Sequence, residues 1–379
     1  MATRKKILWL ASWYPNKYDR FDGDFIQRHA KAAALFDDIH VIFVKQSAGQ
    51  LHAETESNIS EGLSEQILYL PKHTTSFGKI QNYLQWKRHF KKVIEDYFKG
   101  GLPHLVHVHV PWKAGLIALW LKKKHRLPFI VTEHWGIYNN IADDNIQTKS
   151  FFQKRLLKKI FKEAKSFISV SKFLGEGVNK TLLKKPFTVV PNVVDTTLFS
   201  ADAGKYRRFT FLHVSNMVPL KNVEGIIHAF YQFLIAAGAD AQLILIGNRD
   251  NGYHQLAESL GLLNRSVFFR GEVPYEEVAR EMQHSHVFVL NSNIENSPCV
   301  IGEALCCGLP VITTKVGGIP ELVNDQNCLL VNANDNTGLT KAMLQVHQQY
   351  YQFNPFQTAS SAKQKFSYLS IGRELHDLY

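Results

Sequence analysis

Short apolar runs alternate along the chain with amphipathic stretches of helical length. In the first half, five apolar runs predict buried strands: KILWLAS (6–12), IHVIFVK (39–45), LVHVHV (105–110), FIVTE (129–133) and SFISVS (166–171). The stretch FIQRHAKAAALF (25–36), between the first two runs, predicts a helix. Because connections of helical length join the strands, the pattern predicts a parallel sheet covered on both faces.

The alternation begins again after PNVVDTTLF (191–199). The second series of predicted strands is FTFLHVS (209–215), QLILIG (242–247), SVFFRG (266–271), HVFVLN (286–291) and PVITT (310–314), with a helix near 222–237. Residues 191–208 have turn-forming residues and little periodicity, so we interpret them as a linker. We therefore predict an α/β protein with two Rossmann-like doubly wound domains, 1–195 and 196–360, that face each other across a cleft.

Composition excludes several classes of protein. Of 379 residues, 45% are apolar and 20% are charged, which is typical of a globular protein and excludes a disordered or fibrous one. Basic residues precede the apolar stretch from Ile7 to Ala11 as in a signal peptide, but the stretch is short and lacks a cleavage site, so we interpret it as a strand. No apolar run approaches the ~18 residues of a membrane span.

The cysteines and acidic pairs give no metal site. The four cysteines include no C-x-x-C pair, and no histidine cluster has the spacing of a zinc site. Asp37-Asp38 at a helix end and Asp143-Asp144 in a polar loop are not convincing metal ligands. We therefore expect a reduced, cytoplasmic compartment and no bound metal.

Charge is divided unevenly along the chain. The net charge is +11, yet residues 1–195 hold 31 basic and 17 acidic side chains, whereas residues 196–379 hold 13 and 16. The segment KSFFQKRLLKKIFKEAK (149–165) supplies much of the excess and has one apolar face. It fits either a helix that covers the sheet with a solvated basic face, or a surface that docks on an anionic membrane. No nucleic-acid-binding signature accompanies the charge.

The segment SNIENSPCVIGEALCCGLPVITTKVGGIPELV (292–323) carries the strongest candidate chemistry. Ser297 and Pro298 predict a helix start, with Ser297 as N-cap and Pro298 at the first helical position. The amides of Cys299 and Val300 would then lie at the positive end of the helix dipole, which suits a phosphate.

Two glutamates of this segment need an explanation. Glu295 lies in the loop after the strand HVFVLN, where ligands of open α/β sheets bind. Glu303 lies on an apolar helix, so its carboxylate needs a partner or a ligand. For a single glutamate taken alone, a solvated surface position is the competing interpretation.

The order of these residues resembles a known family. E-x7-E followed by EAL-x-x-G-x-PV and V-G-G-x-P-E resembles the C-terminal domain of family 4 glycosyltransferases, which have the GT-B fold. Further segments agree in order and spacing: SWYPNKYDRFDGDF (12–25), TEHWG (132–136), VPNVVDTTLF (190–199), HVSNMVPLKN (213–222), LILIG (243–247) and VFFRGEV (267–273). FSYLSIGRELHDLY (366–379) resembles the terminal helix of the family, so we expect 361–379 to pack back toward the first domain.

The resemblance implies a donor site for a UDP- or GDP-sugar in the second domain. Glu303 would bind the ribose hydroxyls, Glu295 the hydroxyls of the donor sugar, and the amides of Cys299 and Val300 the phosphates. Lys221 aligns with the phosphate-binding lysine of the family, where its charge would stabilise the leaving diphosphate.

Two neighbours in the loop before this lysine join the predicted donor site. Ser215 is the last residue of the predicted strand FTFLHVS (209–215), and Asn216 follows it directly. Asn216 stands where the family usually has an arginine, so it could donate a hydrogen bond but brings no charge.

The first domain offers weaker candidates. Gly23 precedes a predicted helix and could allow close approach of a ligand, although an ordinary loop glycine is the competing interpretation. His134 follows the strand FIVTE and, by the resemblance, would lie near the donor sugar or the acceptor hydroxyl. His107 and His109 share one face of LVHVHV, where packing roles are favoured, although His109 could also line the cleft.

The resemblance predicts a retaining, metal-independent hexosyltransferase. It would move a sugar from a nucleotide diphosphate sugar to a saccharide or lipid-linked acceptor in cell-surface polysaccharide or glycolipid synthesis, with His134, Lys221 and Glu295 as catalytic candidates. We expect a cytoplasmic protein, either free or peripheral at the inner face of the plasma membrane. The alternatives are a hydrolysing nucleotide-sugar epimerase of the same fold and a non-catalytic nucleotide-sugar-binding protein.

Overall fold

The computed structural model describes residues 4–75, 77–139, 145–201 and 204–379. The chain divides into two compact units, of which the first comprises Met1–Val193 and Tyr368–Tyr379 and the second comprises Val194–Ser367. The boundary between the two units at Val193 and Val194 therefore falls within the segment 191–208, which the sequence predicts to be a linker.

The first unit contains strands and helices that alternate, apart from three successive strands between Asp38 and Pro71. They are β1 (Lys6–Ala11), α1 (Asp24–Ala34), β2 (Asp38–Ser47), β3 (Glu54–Ser60), β4 (Leu63–Pro71), α2 (Gly78–Phe98), β5 (Leu105–His109), α3 (Ala114–His125), β6 (Phe129–Glu133), α4 (Phe151–Glu163), β7 (Phe167–Ser169), α5 (Lys172–Thr181) and β8 (Thr188–Val189). Its strands form one sheet in the order β3-β4-β2-β1-β5-β6-β7-β8. The central strands β1, β5 and β6 are buried apart from Lys6, because helices cover both faces.

One edge of this sheet departs from the predicted parallel arrangement. Strand β3 pairs antiparallel with β4, whereas the other neighbouring pairs of this sheet are parallel. Its sequence ETESNIS is polar apart from Ile59, and every residue of the strand is exposed. Because β3 has no apolar run, the hydrophobic pattern does not predict it.

The second unit has the strand order of a dinucleotide-binding fold. Its elements are β9 (Phe209–Val214), α6 (Val223–Ala237), β10 (Ala241–Ile246), α7 (Tyr253–Ser259), β11 (Val267–Gly271), α8 (Tyr275–His284), β12 (Val287–Leu290), α9 (Cys299–Cys306), β13 (Val311–Thr314), β14 (Cys328–Val331), α10 (Asn336–Gln349) and α11 (Pro355–Phe366). The parallel sheet runs β11-β10-β9-β12-β13-β14, which is the order 3-2-1-4-5-6 within the unit. Apolar clusters cover both faces. The prediction of two doubly wound α/β domains is confirmed.

The basic helix α4 is only partly buried. Ser150 caps it in a capping box with Gln153, and Leu157 and Ile160 lie in the core. The aromatic pair at its start does not pack there, because Phe151 is 78% exposed and Phe152 is 73% exposed. The apolar face predicted from the sequence therefore covers the sheet with its C-terminal part and leaves two phenyl rings outside the core.

The last helix of the chain, α12 (Tyr368–Leu378), belongs to the first unit. It packs on α1, where Gly372 lies so close to the Ala32 carbonyl oxygen that a Cβ atom would approach it to 2.2 Å. His376 Nδ1 lies 2.8 Å from Oδ2 of the buried Asp37. Among the described residues, no helix combines the length and apolarity needed to cross a membrane.

Candidate functional site

A buried imidazole fixes the loop that follows β9. His213 Nδ1 lies 2.9 Å from the carbonyl oxygen of Val289, and its Nε2 lies 2.7 Å from Ser215 Oγ. Because a carbonyl can only accept, Nδ1 carries the proton and Nε2 accepts from the Ser215 hydroxyl. Ser215 Oγ also accepts from the Met217 amide at 2.9 Å. Burial lowers the pKa of His213 to about 4, and the charge of Lys221 contributes, so the ring is neutral near neutral pH.

The structure joins two predicted donor-site residues directly. Lys221 Nζ donates to Glu295 Oε1 at 2.5 Å, and Ser292 Oγ donates to the same oxygen at 2.7 Å. The side chains of Lys221 and Glu295 are 20% and 11% exposed. The two loops are also tied through their backbones, since the Asn293 amide donates to the Leu220 carbonyl at 2.8 Å. A partly buried charge pair therefore lies where the loops after β9 and β12 meet.

The Gly-Gly turn after β13 holds the backbone at Glu295. The Gly318 amide donates to the Glu295 carbonyl at 3.0 Å. Gly317 has a φ of +55°, and a Cβ atom there would lie 1.8 Å from that carbonyl oxygen. This role was missed, because the sequence pattern indicates only a turn at these glycines. The signal that could have found it is a glycine pair following a buried strand at the same sheet edge as Glu295.

Helix α9 begins one residue later than predicted. Pro298 has an extended backbone (φ −68°, ψ 120°) and is itself the N-cap, without a side-chain cap, so the assignment of Ser297 as N-cap is wrong. A proline ring fits both the N-cap and the first helical position, and here the extended ψ excludes the second. The Pro298 carbonyl accepts from the Ile301 amide at 3.3 Å. Cys299 and Val300 are the first two helical residues, and their amides lie at the positive end of the helix.

The predicted need of Glu303 for a partner is met by a tyrosine. Glu303 is 2% exposed on α9, and Tyr275 Oη donates to its Oε1 at 2.5 Å. Tyr275 opens helix α8, so its identity as a partner could not be derived from the spacing of the motif. A hydroxyl that donates to one carboxylate oxygen orients the carboxylate.

Asn216 is exposed on the loop after β9, next to the half-buried Ser215. The glycine of LILIG supports this loop from β10, because a Cβ atom at Gly247 would lie 2.2 Å from the Ser215 carbonyl oxygen. A glycine is therefore needed at the end of β10, because the loops after β9 and β10 pack too closely for a side chain there.

In the first unit, the neighbouring backbone leaves no room for a side chain at Gly23. It is the N-cap of α1 with a φ of +68°, and a Cβ atom would lie 2.6 Å from the Trp13 carbonyl carbon. The close approach is therefore made by the backbone after β1. The ring of Trp13 lies edge-on to Phe25, and the Phe25 ring packs 4.9 Å from the His134 ring. Gly23 and His134 thus border the same aromatic contact.

A buried carboxylate holds the loop that carries His134. Glu133 Oε1 accepts from the backbone amides of His134 and Trp135, each at 2.9 Å, and Oε2 accepts from Tyr138 Oη at 2.8 Å. Burial raises the pKa of Glu133 to about 7, against the opposing effect of these hydrogen bonds. The sequence signal for this role is the acidic residue at the end of the buried strand FIVTE.

The two histidines of strand β5 are also buried. His107 Nε2 lies 2.7 Å from Thr132 Oγ1, and its Nδ1 lies 3.0 Å from the hydroxyl of Tyr379. His109 Nδ1 lies 3.2 Å from His134 Nε2, and His109 is fully buried. The packing roles favoured for His107 and His109 agree with these contacts. The alternative that His109 lines the cleft stays a prediction.

The predicted site residues form two sets, one in each unit. Gly23 and His134 belong to the first unit, and the remainder to the second: Ser215, Asn216, Lys221, Glu295, Cys299, Val300 and Glu303. Across the described residues, no group of three or more His, Cys, Asp or Glu side chains is arranged to hold a metal ion. The pair Asp143-Asp144 lies outside the described residues.

Two family models match the chain. The model of glycosyl transferases group 1 matches residues 196–357, and the model of Glycosyltransferase Family 4 matches residues 30–198. An uncharacterized glycosyltransferase of Methanocaldococcus jannaschii is 28% identical over 283 residues, which are 74% of this chain and 74% of that protein. Because the two matches together run from residue 30 to residue 357, the chain belongs to the glycosyltransferases of family 4 and group 1, and the resemblance is confirmed.

Solved structures share the fold along nearly the whole chain. Sucrose-phosphate synthase from Thermosynechococcus elongatus has a TM-score of 0.78 at 18% identity and covers 99% of this chain and 98% of its own. Anabaena HepE in complex with UDP has a TM-score of 0.73 at 17% identity, with coverage of 98% and 99%. The predicted GT-B class is therefore confirmed, and at these identities the likeness shows the fold alone.

Proposed function

We propose that the chain is a retaining hexosyltransferase that moves a sugar from a nucleotide diphosphate sugar to a saccharide or lipid-linked acceptor, in the synthesis of a cell-surface polysaccharide or glycolipid. The observation that supports this most is the Lys221–Glu295 pair between the loops after β9 and β12. These adjacent strands flank the point where the strand order of the sheet reverses, and ligands of such sheets bind beyond that point.

Each donor-site residue has a role that its surroundings support. Glu303, oriented by Tyr275, would accept hydrogen bonds from the ribose hydroxyls. The first amides of α9, at Cys299 and Val300, would bind phosphate oxygens. When the diphosphate arrives, Lys221 would share its ammonium between Glu295 and the phosphate, and Glu295 would also meet hydroxyls of the donor sugar.

The proposed reaction takes place on one face of the sugar. The bond between the anomeric carbon and the diphosphate oxygen breaks, and the acceptor oxygen forms the new bond on the same face. A phosphate oxygen of the leaving diphosphate takes the acceptor proton, while Lys221 and the helix amides stabilise its charge. Because these groups supply the positive charge, the proposed step needs neither a metal nor a cofactor.

UDP is the first nucleotide to test, since Anabaena HepE, which has this fold, was solved in complex with UDP. A thermal-shift screen of UDP, GDP and ADP sugars gives the donor, and at a hundredfold excess over Kd a bound donor should stabilise the protein by about 2.7 kcal/mol. Glu303→Gln should weaken nucleotide binding by roughly tenfold to a hundredfold, because it removes a charged acceptor. Glu258→Gln on the exposed face of α7 is the matched control, and equal affinity of both variants would contradict the site.

The product decides between the proposal and its alternatives. With a donor and an acceptor, NMR of the product should show the anomeric configuration of the donor, and an inverted product would contradict retention. Release of free nucleotide together with an epimerised sugar in the absence of any acceptor would favour the hydrolysing epimerase. Binding of the donor without turnover under all acceptors would favour the non-catalytic binding protein.

The proposal includes peripheral contact of the first unit with an anionic membrane. Phe151 and Phe152 are exposed at the start of the basic helix α4. A second exposed apolar row, Phe77, Ile80 and Leu84, runs along the start of α2 at helical spacing. Lysines and arginines flank both rows, which is the combination that binds anionic lipid surfaces.

Vesicle sedimentation tests this contact. The protein should bind vesicles that contain phosphatidylglycerol more than pure phosphatidylcholine vesicles, and salt should weaken the binding. The double variant Phe151→Ser/Phe152→Ser should bind less, with unchanged thermal stability because both rings are exposed. Tyr351→Ser, at a 97% exposed aromatic residue of the second unit, is the control. Binding that is independent of lipid charge would contradict the proposal.

A further inference from the structure

A groove lies at the opposite end of the second sheet from the candidate donor site. The groove has a volume of about 310 Å³ and lies between the turn 324–327, the end of α10 and the start of α11. The turn precedes β14, so the groove is at the amino ends of the strands, whereas Lys221 and Glu295 follow carboxyl ends. Its volume is at the lower limit of the roughly 300–1,000 Å³ typical of small-molecule sites.

Carboxamides dominate the lining of this groove. Eight of its thirteen lining residues, all within the continuous described range 204–379, are Asn or Gln, and Asp325 is the one charged residue among the thirteen. Each carboxamide offers two N–H donors and an acceptor oxygen. Carboxamides therefore match sugar hydroxyls, which also donate and accept hydrogen bonds. No lysine or arginine is among the thirteen lining residues, so the groove has no cationic side chain that would select for an anion.

Three of the carboxamides are held by the backbone. Asn324 Oδ1 accepts from the Gln326 amide, Asn327 Oδ1 from the Asn324 amide, and Asn354 Oδ1 from the Gln357 amide, each at 3.0 Å. Because a backbone N–H must meet an oxygen, these bonds fix which end of each carboxamide carries the NH₂ group. Side chains held in this way lose less conformational freedom when a ligand binds.

The groove also has an apolar wall. Phe353 and Leu329 line it and are half-buried, since both pack against the core of the unit. A phenyl ring beside hydrogen-bonding groups suits a pyranose, whose C–H face is apolar and whose hydroxyls lie around the rim. A charged ligand would find no opposite charge here except for a cation at Asp325.

We infer that the amide-lined groove of the second unit is a binding site for a neutral saccharide, separate from the donor site. The inference goes beyond the proposed function, because it assigns a second carbohydrate site that needs no nucleotide. Such a site would hold part of a neutral glycan while the reaction proceeds elsewhere on the protein.

The test uses the full chain and ligand-observed saturation-transfer NMR. The probes are maltotetraose, an α-linked mannotetraose and chitotetraose, with an oligogalacturonate as the anionic counterpart. We expect saturable binding of at least one neutral probe and none of the oligogalacturonate. Glu303→Gln should leave this binding unchanged, so that failure of the donor site and failure of the groove are distinguishable.

The decisive variant removes N–H donors and keeps the fold. Asn354→Asp retains the capping oxygen of α11, since Asp is an equally good N-cap, and Gln352→Glu changes an exposed side chain. The double variant should weaken binding at least tenfold, because the N–H donors of two carboxamides are lost. The double variant Gln348→Glu/Ser360→Asp adds the same charge to exposed positions of α10 and α11 that do not line the groove, and it should bind as the wild type does.

Three results would overturn the inference. The first is the absence of binding by every neutral probe, and the second is binding that the groove variant does not weaken. The third is a change of oligomeric state in the groove variant during analytical ultracentrifugation, which would make the groove a contact between copies of the chain. Phe353→Ala, with its stability measured separately because the ring packs on the core, should weaken the neutral probe as well.

Discussion

Lys221 and Glu295 are bound to each other, although each is predicted to meet a different part of the donor. The pair is 20% and 11% exposed, so neither charge is fully solvated, and each keeps the other in place. A phosphate that enters here can compete for Lys221 without leaving Glu295 unpartnered, since Ser292 Oγ donates to the same carboxylate oxygen. The pairing would therefore position the lysine before the proposed donor binds.

Replacing Lys221 by Met should reduce kcat/KM for sugar transfer by about 10²–10³-fold, the usual effect of losing one group that stabilises developing charge. Lys221→Arg keeps the charge and should recover part of the rate, with imperfect geometry. Initial rates of nucleotide release measure both variants. Lys341→Met, at an exposed position of α10, is the control. Equal rates for Lys221→Met and this control would contradict the assignment of Lys221.

Gly317→Ala should displace the Glu295 loop. Its Cβ atom would lie 1.8 Å from the Glu295 carbonyl oxygen and its φ is +55°, so both the contact and the backbone oppose a side chain. We expect the thermal-shift response to the donor to be lost. Gly238→Ala has a similar φ of +56° in open space and isolates the backbone cost, about 1–2 kcal/mol, with donor binding intact. Normal donor binding by Gly317→Ala would refute this role.

For single residues, the sequence predicts the need for a partner but not the identity of that partner. Glu303 could be predicted to need a partner, because a carboxylate on an apolar helix is costly to bury alone. Tyr275 could not be named as that partner, since it lies 28 residues away on another helix and only packing brings the two together. At Ser297 and Pro298, proline geometry allows two helix starts, and the pattern cannot choose between them.

Helix α12 tests the packing of a whole element. Gly372→Ala should force α12 away from α1, since its Cβ atom would lie 2.2 Å from the Ala32 carbonyl oxygen. We expect the free energy of unfolding to fall by about 1–3 kcal/mol, as for overpacked cores, in urea titrations followed by circular dichroism. Leu369→Ala, at a 55% exposed position of the same helix, should change it by less than half as much. Equal losses of the free energy of unfolding in the two variants would contradict a tight contact between Gly372 and the Ala32 carbonyl.

Elements with an apolar pattern could be predicted, and those without one could not. The strands FIVTE and FTFLHV are found within a residue of their predicted limits because both faces are buried. Strand β3 has no apolar run and is exposed along its whole length, and its position follows from pairing with β4 alone. The start of α4 shows the opposite case, since Phe151 and Phe152 continue an apolar face that the core does not use.

The division of the whole chain into two units follows from two successive series of alternating strands and helices. The point where the strand order of the second sheet reverses, at which the site residues of the second unit lie, follows from the same alternation. What the pattern cannot supply is the place of the last helix. An amphipathic helix has an apolar face that fits any core, and the return of Tyr368–Tyr379 to the first unit is decided by specific contacts such as Gly372 on Ala32. The uneven charge of the two halves likewise predicts that the first domain has an anionic partner. It does not predict which surface of that domain contacts the partner, because specific exposed side chains decide this.

Acid should destabilise the whole molecule, and the first unit most. Four of its histidines are buried, namely His29, His107, His109 and His134, and burial lowers the pKa of each, to about 4 for His29. A base whose pKa is lowered on folding contributes stability that is fully present above its unfolded value near 6.5. That stability is lost as the pH falls through 6.5 toward the folded value, by roughly 3 kcal/mol for His29 alone.

Glu133 acts in the opposite direction over part of this range. Its folded pKa of about 7 is raised, so its contribution is present below 4.5 and is lost as the pH rises through 7. With four histidines against one carboxyl, we expect the free energy of unfolding to fall from about pH 7 to about pH 5 in urea titrations. His52→Gln, at an exposed histidine, should follow the wild-type curve. A stability that is constant or rises toward pH 5 would mean that the four imidazoles are protonated in the folded protein, and that their hydrogen bonds outweigh their burial.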